Sequence, residues 1–389
     1  MTRTGTALRV ESPSPLRNRA FVGLLLGSAG LFFGFSLLVS VVPLWVVEQG
    51  DGEFAAGAST GVFMASTVVA QFLMPGLVRR FGYRFMSIVG AILLGLPAVF
   101  LLVSLTWQPV LAIALVRGLG FGIVTVCGSA LIAELVPAGS LGRGSGLYGL
   151  AVGLPLLIGL PASTWVAQNV GFGPVFLAGA ALPLLAIAPL LVLPKGESGA
   201  ASADRGVFAA AIGVWRPWLV MFSGSIAFGA MVTFLPLVFA ASPVAAASAL
   251  LLMSATGLGG RWLAGVWGDR SALTGRLLLM GLIVTALGLT GFAVVADLDG
   301  TAALVLGVTC VAVYGAGFGV VQNDSLVLMF NRASAARASV AWNVAFDAGQ
   351  GAGAVAVGAL VSGTSYSIAF GCLALFAFAL LAVAWRARR

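Results

Sequence analysis

Histidine is absent from the 389 residues, and Lys, Arg, Asp and Glu together make up only 8% of them. The first absence excludes a histidine metal cluster and a histidine proton relay, so any proton chemistry falls to carboxylates. The second excludes an ordinary soluble domain, of which roughly a quarter is charged. Cysteine is scarce as well. Cys127, Cys310 and Cys372 lie inside apolar runs, where they are expected as small packing residues and not as disulfide partners. Strict apolar–polar alternation is also missing, and the apolar runs are too long for strands, which removes a membrane β-barrel.

What fills the chain is hydrocarbon: 60% of residues are hydrophobic. Runs of ~20 apolar residues, the length that crosses a bilayer core of ~30 Å, recur from Phe21 almost to the C-terminus. Lipid offers no hydrogen-bond partners to a backbone, so these runs are expected as helices. The 53 glycines suit a bundle in which membrane helices approach closely. The first twenty residues are polar and carry Arg3, Arg9, Arg17 and Arg19. The run after them exceeds the ~7 to 15 residues of a signal-peptide core and no small-residue cleavage site follows, so it is expected to be retained as a first helix.

Six runs are expected at 21–47, 55–78, 84–106, 109–133, 144–168 and 174–194, and six more at 217–241, 246–267, 277–296, 302–329, 338–361 and 365–385. The fold class that follows is an all-α integral membrane protein of twelve helices. Its parts are a cytoplasmic tail (1–20), a six-helix bundle (21–194), a cytoplasmic linker (195–216), a second six-helix bundle (217–385) and a cytoplasmic tail (386–389). Within the linker, the short segment Val207 to Trp215 is expected at the membrane interface.

Charge fixes the expected orientation. Eighteen of the twenty Lys and Arg fall on the side of the N-terminus, and the opposite loops hold only Glu48, Asp51, Glu53, Asp297 and Asp299. Cytoplasmic loops accumulate Lys and Arg, so both termini are expected inside the cell. Dispersed along one membrane face, these cations also account for the net charge of +8 without nucleic acid. Two internal repeats divide the chain in half. Gly118, Gly120, Phe121 and Gly122 return as Gly315, Gly317, Phe318 and Gly319 at an offset of 197. Arg143, Ser145, Tyr148 and Ala151 are echoed by Arg337, Ser339, Trp342 and Ala345 at an offset of 194. Both halves start on the same side, which makes them parallel repeats with a substrate site expected at their interface near the midplane.

The segment after the second run, Gly76-Leu77-Val78-Arg79-Arg80-Phe81-Gly82-Tyr83-Arg84, resembles the signature between helices 2 and 3 of the major facilitator superfamily. Gly265-Val266-Trp267-Gly268-Asp269-Arg270 with Gly275-Arg276 is similar to its second copy. Arg117 and its glycine cluster resemble that family's helix 4 motif, while Gly153, Gly159 and Pro161 resemble the helix 5 motif of its drug:proton antiporters. Arg79 stands where the family pattern has Asp, and Leu160 separates Gly159 from Pro161. The resemblance implies two six-helix bundles rocking about a central site. It implies gating loops at Arg79, Arg80, Gly82, Arg84, Gly265, Asp269, Arg270 and Arg276, where the alternative is that the arginines only fix topology. It also implies cavity walls on helices 1, 4, 7 and 10, with Phe32, Ser36, Phe121, Phe228 and Tyr314 as candidates.

An ionisable group at membrane depth costs ~2.5 kcal/mol or more, so each one is a functional candidate. Asp347 lies ten residues past Arg337, about 15 Å deep at ~1.5 Å per residue. It shares one helix face with Asn343, Gln350 and Gly351. It is the first candidate for carrying a coupling proton; the competing reading is a hydrogen-bonded Asp that locks its helix to a neighbour. Asp324, beside Asn323 and Gln322, is expected either in an inner gate or in an ion pair with Arg261. Arg117 is the only cation in the membrane core of the first half. It is expected to attract an anionic substrate group or oppose a protonatable acid, or else to snorkel outward or be satisfied by helix-end carbonyls.

These features point to secondary active transport, with proton-coupled efflux of a drug-like compound or small metabolite as the leading reading, proton-coupled uptake of a small solute, anionic if Arg117 meets it, as its rival, and a non-transporting membrane sensor or intramembrane enzyme as a remote alternative. No cofactor or metal is expected, the proton gradient being the energy source. The expected partners are a small-molecule substrate and membrane lipid, with no nucleic acid, and the expected unit is a monomer in the inner or plasma membrane. No intramembrane Ser/His pair, paired protease aspartates, HExxH or phosphate-binding Gly-Lys motif is present, which argues against an enzyme.

Overall fold

A computed structural model describes residues 15–103, 106–136, 140–195, 207–271 and 276–387, with backbone alone at 15, 133, 141–142, 207–212, 268–271 and 335–336. Among these residues there is no strand, and 11 helical stretches are long and apolar enough to cross a membrane. One of them, Gly52–Leu102, runs for 51 residues. At about 1.5 Å per residue that is more than twice the thickness of a bilayer core. It breaks at Gly82, whose φ of 76° and ψ of 160° belong to a region open in practice to glycine alone. The stretch is two crossings folded back on each other, and the total is twelve.

In chain order the crossings are α1 (Arg19–Glu48), α2 (52–81), α3 (83–102), α4 (Trp107–Ile132), α5 (Arg143–Asn169), α6 (Phe172–Leu190), α7 (Gly213–Val238), α8 (Pro243–Trp267), α9 (Leu277–Val295), α10 (Thr301–Phe330), α11 (Arg337–Val361) and α12 (Tyr366–Ala387). An even number returns the chain to the face on which it began, here termed the terminal face; the other is the distal face.

Two local expectations are corrected. No separate loop joins α2 to α3, because helix continues on both sides up to Gly82. The segment Val207 to Trp215 does not form an element of its own: it is continuous with the seventh crossing in one helix, Val207–Val238. Pro217 lies inside this helix and removes one backbone hydrogen bond. That loss falls at the terminal face, where water can take up the freed carbonyl, and Arg216 anchors the turn by donating from Nη1 to the Arg386 carbonyl at 3.0 Å.

The halves are built alike. α1 packs on α5 as α7 packs on α11, and α2 and α3 flank α4 as α8 and α9 flank α10. The two main contacts between halves, α2 with α11 and α5 with α8, exchange under the same shift of six helices. The repeated glycine triplets give this arrangement its physical basis. Gly118 and Gly122 of α4 abut the α2 backbone at Phe63 and Thr67, while Gly120 abuts the α3 backbone at Gly90 and Leu94. In the second half Gly315 and Gly319 abut α8 at Met253 and Gly257, while Gly317 abuts α9 at Gly281 and Thr285. A Cβ at any of these positions would collide with neighbouring backbone. Each triplet lets one helix nest between two others at close range, where dispersion replaces the hydrophobic drive that lipid cannot provide.

Gly120→Val and Gly317→Val are each expected to cost about 1–3 kcal/mol by overpacking, read as a lowered unfolding midpoint in detergent. Gly146→Ala, in α5 with nothing within 4 Å of the added Cβ, is expected to leave the midpoint unchanged or slightly raised.

Candidate functional site

Where the two halves meet, α11 presents its polar stripe to protein and not to lipid. Gly351 lies against Gly61 and Met64 of α2, and Gly349 and Gly353 lie against Phe222 and Ile226 of α7. Asp347 is held between these contacts with 5% of its surface exposed. Its Oδ2 accepts a hydrogen bond from Nε2 of Gln71 on α2 at 2.6 Å. Gln71 is itself 4% exposed, and its Oε1 has no partner. Gln350 is buried beside α7, and Asn343 is half-buried. The carboxylate therefore belongs to one half and its partner to the other, near the middle of both helices.

From this point to the distal face the halves stay joined. The hydroxyls of Thr60 on α2 and Thr233 on α7 lie 3.2 Å apart. Gln168 of α5 donates to the Pro236 carbonyl of α7 at 3.4 Å. Gly57 and Gly358 bring α2 and α11 into backbone contact, against Ala354 and Glu53 respectively.

Two aromatic clusters line the same level. In the first half Phe121 stacks on Phe35 with centroids 4.0 Å apart and meets Phe32 edge-on at 5.4 Å, with Phe63 completing the group. In the second half Phe228 lies 5.6 Å from Phe318 and 5.4 Å from Phe346, which stacks on Trp342. Phe32 and Phe228 remain half-buried. Ser36, Phe121 and Tyr314 do not serve as walls in this conformation, because all three are buried. The Ser36 hydroxyl points at the carbonyls of Phe33 and Pro155, and the Tyr314 hydroxyl donates to the Gly224 carbonyl at 2.9 Å. A hydroxyl in a dry helix interface takes the nearest carbonyl, and these two tie α1 to α5 and α10 to α7.

Asp324 is 2% exposed, and its Oδ2 accepts the Leu278 amide at 2.7 Å in the first turn of α9. A carboxylate there satisfies an orphan N–H and faces the positive end of the helix. The ion pair with Arg261 is not formed: the Arg261 guanidinium lies 5.4 Å over the Trp342 ring. Asn323 is half-buried next to Gln322, whose carbonyl accepts the Trp342 indole N–H at 3.0 Å.

Arg117 does not snorkel. It is 4% exposed, donates from Nε to the Leu94 carbonyl at 3.1 Å, and lies 5.5 Å from the Phe63 ring centre. Its Nη2 has no partner.

Residues 24–339 match the sequence profile of the Major Facilitator Superfamily. The chain belongs to this superfamily. It is 28% identical over 331 residues to the inner membrane transport protein YdhP of Escherichia coli, covering 80% of this chain and 81% of that one. An MFS-type transporter of Mycobacterium tuberculosis is 28% identical over 213 residues, 49% of this chain, and the match spans only 30% of the mycobacterial protein. Among solved structures, the nucleoside transporter NupG has a TM-score of 0.77 at 13% identity over 95% of this chain and 100% of that one. A bacterial homologue of the human lysosomal transporter Spinster, inward-facing and occupied, has 0.77 at 15% over 97% and 98%. The xylose transporter XylE of E. coli has 0.75 at 15% over 95% and 98%. These likenesses establish the fold, and the superfamily makes the chain a multi-pass secondary transporter and not an enzyme.

The superfamily's loop between helices 2 and 3 is here the one-residue turn at Gly82. Arg79 and Arg80 are exposed, Arg84 is half-buried, and the Arg80 guanidinium lies 5.2 Å from the Phe81 ring centre. Gly265 of α8 faces Asn323, and Arg276 caps α9 from an exposed position. The side chains of Asp269 and Arg270 lie outside the described residues. Asp324→Ala, which strands the Leu278 amide, is expected to lower stability by about 1–3 kcal/mol in chemical denaturation of the purified protein, and Tyr314→Phe, which removes one hydrogen bond from a Gly224 carbonyl that keeps its intrahelical partner, by about 0.5–1.5 kcal/mol.

Proposed function

We propose that this transporter exports a drug-like compound or small metabolite in exchange for protons, by alternating access, with Asp347 binding and releasing the coupling proton. The observation that carries the reading is the bond between Asp347 and Gln71, a buried carboxylate held across the seam between two halves that must move. Ionised Asp347 accepts from Nε2, a charge-assisted bond roughly twice as strong as a neutral one. Protonation removes that extra strength. The unpartnered Oε1 gives the protonated carboxyl an acceptor once the amide turns over, so Gln71 can serve both states. Substrate binding between the halves and proton binding at the seam then compete to set which way the bundle rocks.

The direction rests on charge and closure together. The Lys and Arg of the terminal face support reading it as the cytoplasmic face of an inner or plasma membrane. The contacts between halves close the distal side, the side an exporter keeps shut while it collects its load. The half-buried rings of Phe32 and Phe228 suit a lipophilic or cationic solute. At the terminal face Arg79, Arg80, Gly82, Arg84, Gly265, Asp269, Arg270 and Arg276 form the gate that shuts when the halves rock. An inward proton supplies ~2.3 kcal/mol per 100 mV of potential, so no cofactor is needed and a monomer suffices. One observation favours a second reading, proton-coupled uptake of an anionic solute: the partnerless Nη2 of Arg117.

Purified protein in liposomes with an imposed pH gradient, screened against diverse solutes while internal pH is recorded, tests both. Export is expected to move protons opposite to solute, uptake to move them together. Asp347→Asn is expected to abolish gradient-driven accumulation while keeping downhill exchange. A folded Asp347→Asn variant that concentrates solute at the wild-type rate removes Asp347 from coupling.

A further inference from the structure

Away from the seam, on the terminal face of the first half, a recess of about 350 Å³ is lined by Arg80, Arg84 and Lys195 together with Phe81, Phe85 and Ile88. We propose that it is a binding site for the headgroup of an anionic phospholipid. The turn at Gly82 sets Arg80 at the end of α2 beside Arg84 at the start of α3, and Lys195 follows α6 on the same face. Arg80 and Lys195 are exposed and Arg84 is half-buried, so none of the three is sealed inside the bundle. The Arg80 guanidinium lies 5.2 Å from the centre of the Phe81 ring, itself a wall of the recess. No carboxylate among the described residues lines the recess or pairs with these cations. The turn supplies none either: Arg79 stands where the superfamily pattern has Asp, and residues 76–84 contain no acid. Three like charges around one recess repel one another, and a phosphate among them replaces that repulsion with attraction.

The walls favour a lipid over a free anion. Phe81 and Phe85 are 44% and 53% exposed, with ring centroids 5.5 Å apart. From Phe85 an apolar stripe continues through Ile88 to Ile92, at i+3 and i+7 along α3, and leads from the recess towards the hydrocarbon. A soluble phosphate would meet the cations and leave these side chains uncovered. A phospholipid meets both, its phosphate among the cations and its acyl chain along the stripe. A zwitterionic headgroup carries an ammonium of its own into the recess, so a headgroup without one binds more tightly. Scattered Lys and Arg attract an anionic membrane surface in any case; here the concave shape gathers three of them around one guest. Lys195 begins the connection to the second half, so an occupied recess ties that connection to the α2–α3 turn. The site requires neither the direction nor the proton coupling proposed above.

Native mass spectrometry of the delipidated full chain in detergent, titrated with dioleoyl phosphatidylglycerol or dioleoyl phosphatidylethanolamine, reads the site. One phosphatidylglycerol is expected to stay bound under activation that strips phosphatidylethanolamine, and inorganic phosphate in excess is expected not to displace it. Neutralising each cation is expected to weaken phosphatidylglycerol binding roughly fivefold, so Arg80→Gln, Arg84→Gln and Lys195→Gln combined are expected to weaken it roughly a hundredfold. Lys195→Gln alone stands in if the combined variant does not fold. Arg143→Gln removes the same charge from an exposed position on the same face, outside the recess, and is expected to leave lipid binding unchanged. Equal retention of the two lipids, displacement by inorganic phosphate, undiminished binding by the recess variants, or an equal loss in Arg143→Gln would each overturn the assignment and leave these cations as markers of topology.

Discussion

The bond between Asp347 and Gln71 is a polar tie at mid-membrane whose two ends belong to different halves of the bundle. A carboxylate at that depth is tolerable only where protein surrounds it, and the surrounding is supplied by packing. Gly351 admits α2, and Gly349 and Gly353 admit α7, so α11 is wedged against both and its acid cannot reach lipid. Without those glycines the stripe of Asn343, Asp347 and Gln350 would have no protein to face.

The same logic of close approach repeats at larger scale. The triplets Gly118, Gly120, Gly122 and Gly315, Gly317, Gly319 seat α4 and α10 at the centre of their halves. Each half is thereby rigid, held by backbone contact and by hydroxyls such as those of Ser36 and Tyr314 that bond to neighbouring carbonyls. Between the halves, the hydrogen bonds among the described residues are an amide on a carboxylate, a pair of threonine hydroxyls and a glutamine on a carbonyl. Rigid halves joined by a weaker seam are what a rocking mechanism requires.

Polar groups in the first and second halves have taken different roles despite the duplication. Arg117 has no cationic counterpart at the matching place, Leu94 and Phe63 being its neighbours. Asp347 matches Gly153 in α5, and Asp324 has become a cap for α9. Duplication supplied the scaffold, and single charges placed on it afterwards distinguish one half from the other.

The sequence alone determined the class, the number of crossings, the face shared by the termini and the two-fold repeat, because lipid forces helices on long apolar runs and the charged residues mark their ends. It also singled out Asp347, since a lone acid in such a run is costly enough to be conspicuous. It did not reveal Gln71, an uncharged amide whose importance lies wholly in what faces it from 276 residues away. Nor did it distinguish Tyr314 and Ser36, fixed in helix interfaces, from Phe32 and Phe228, which keep some exposed surface. Run length and hydropathy are properties of a single segment, readable along the chain. Which side chain finds which partner depends on how closely two helices approach, and that distance was set by glycines whose effect appears only when the halves are packed.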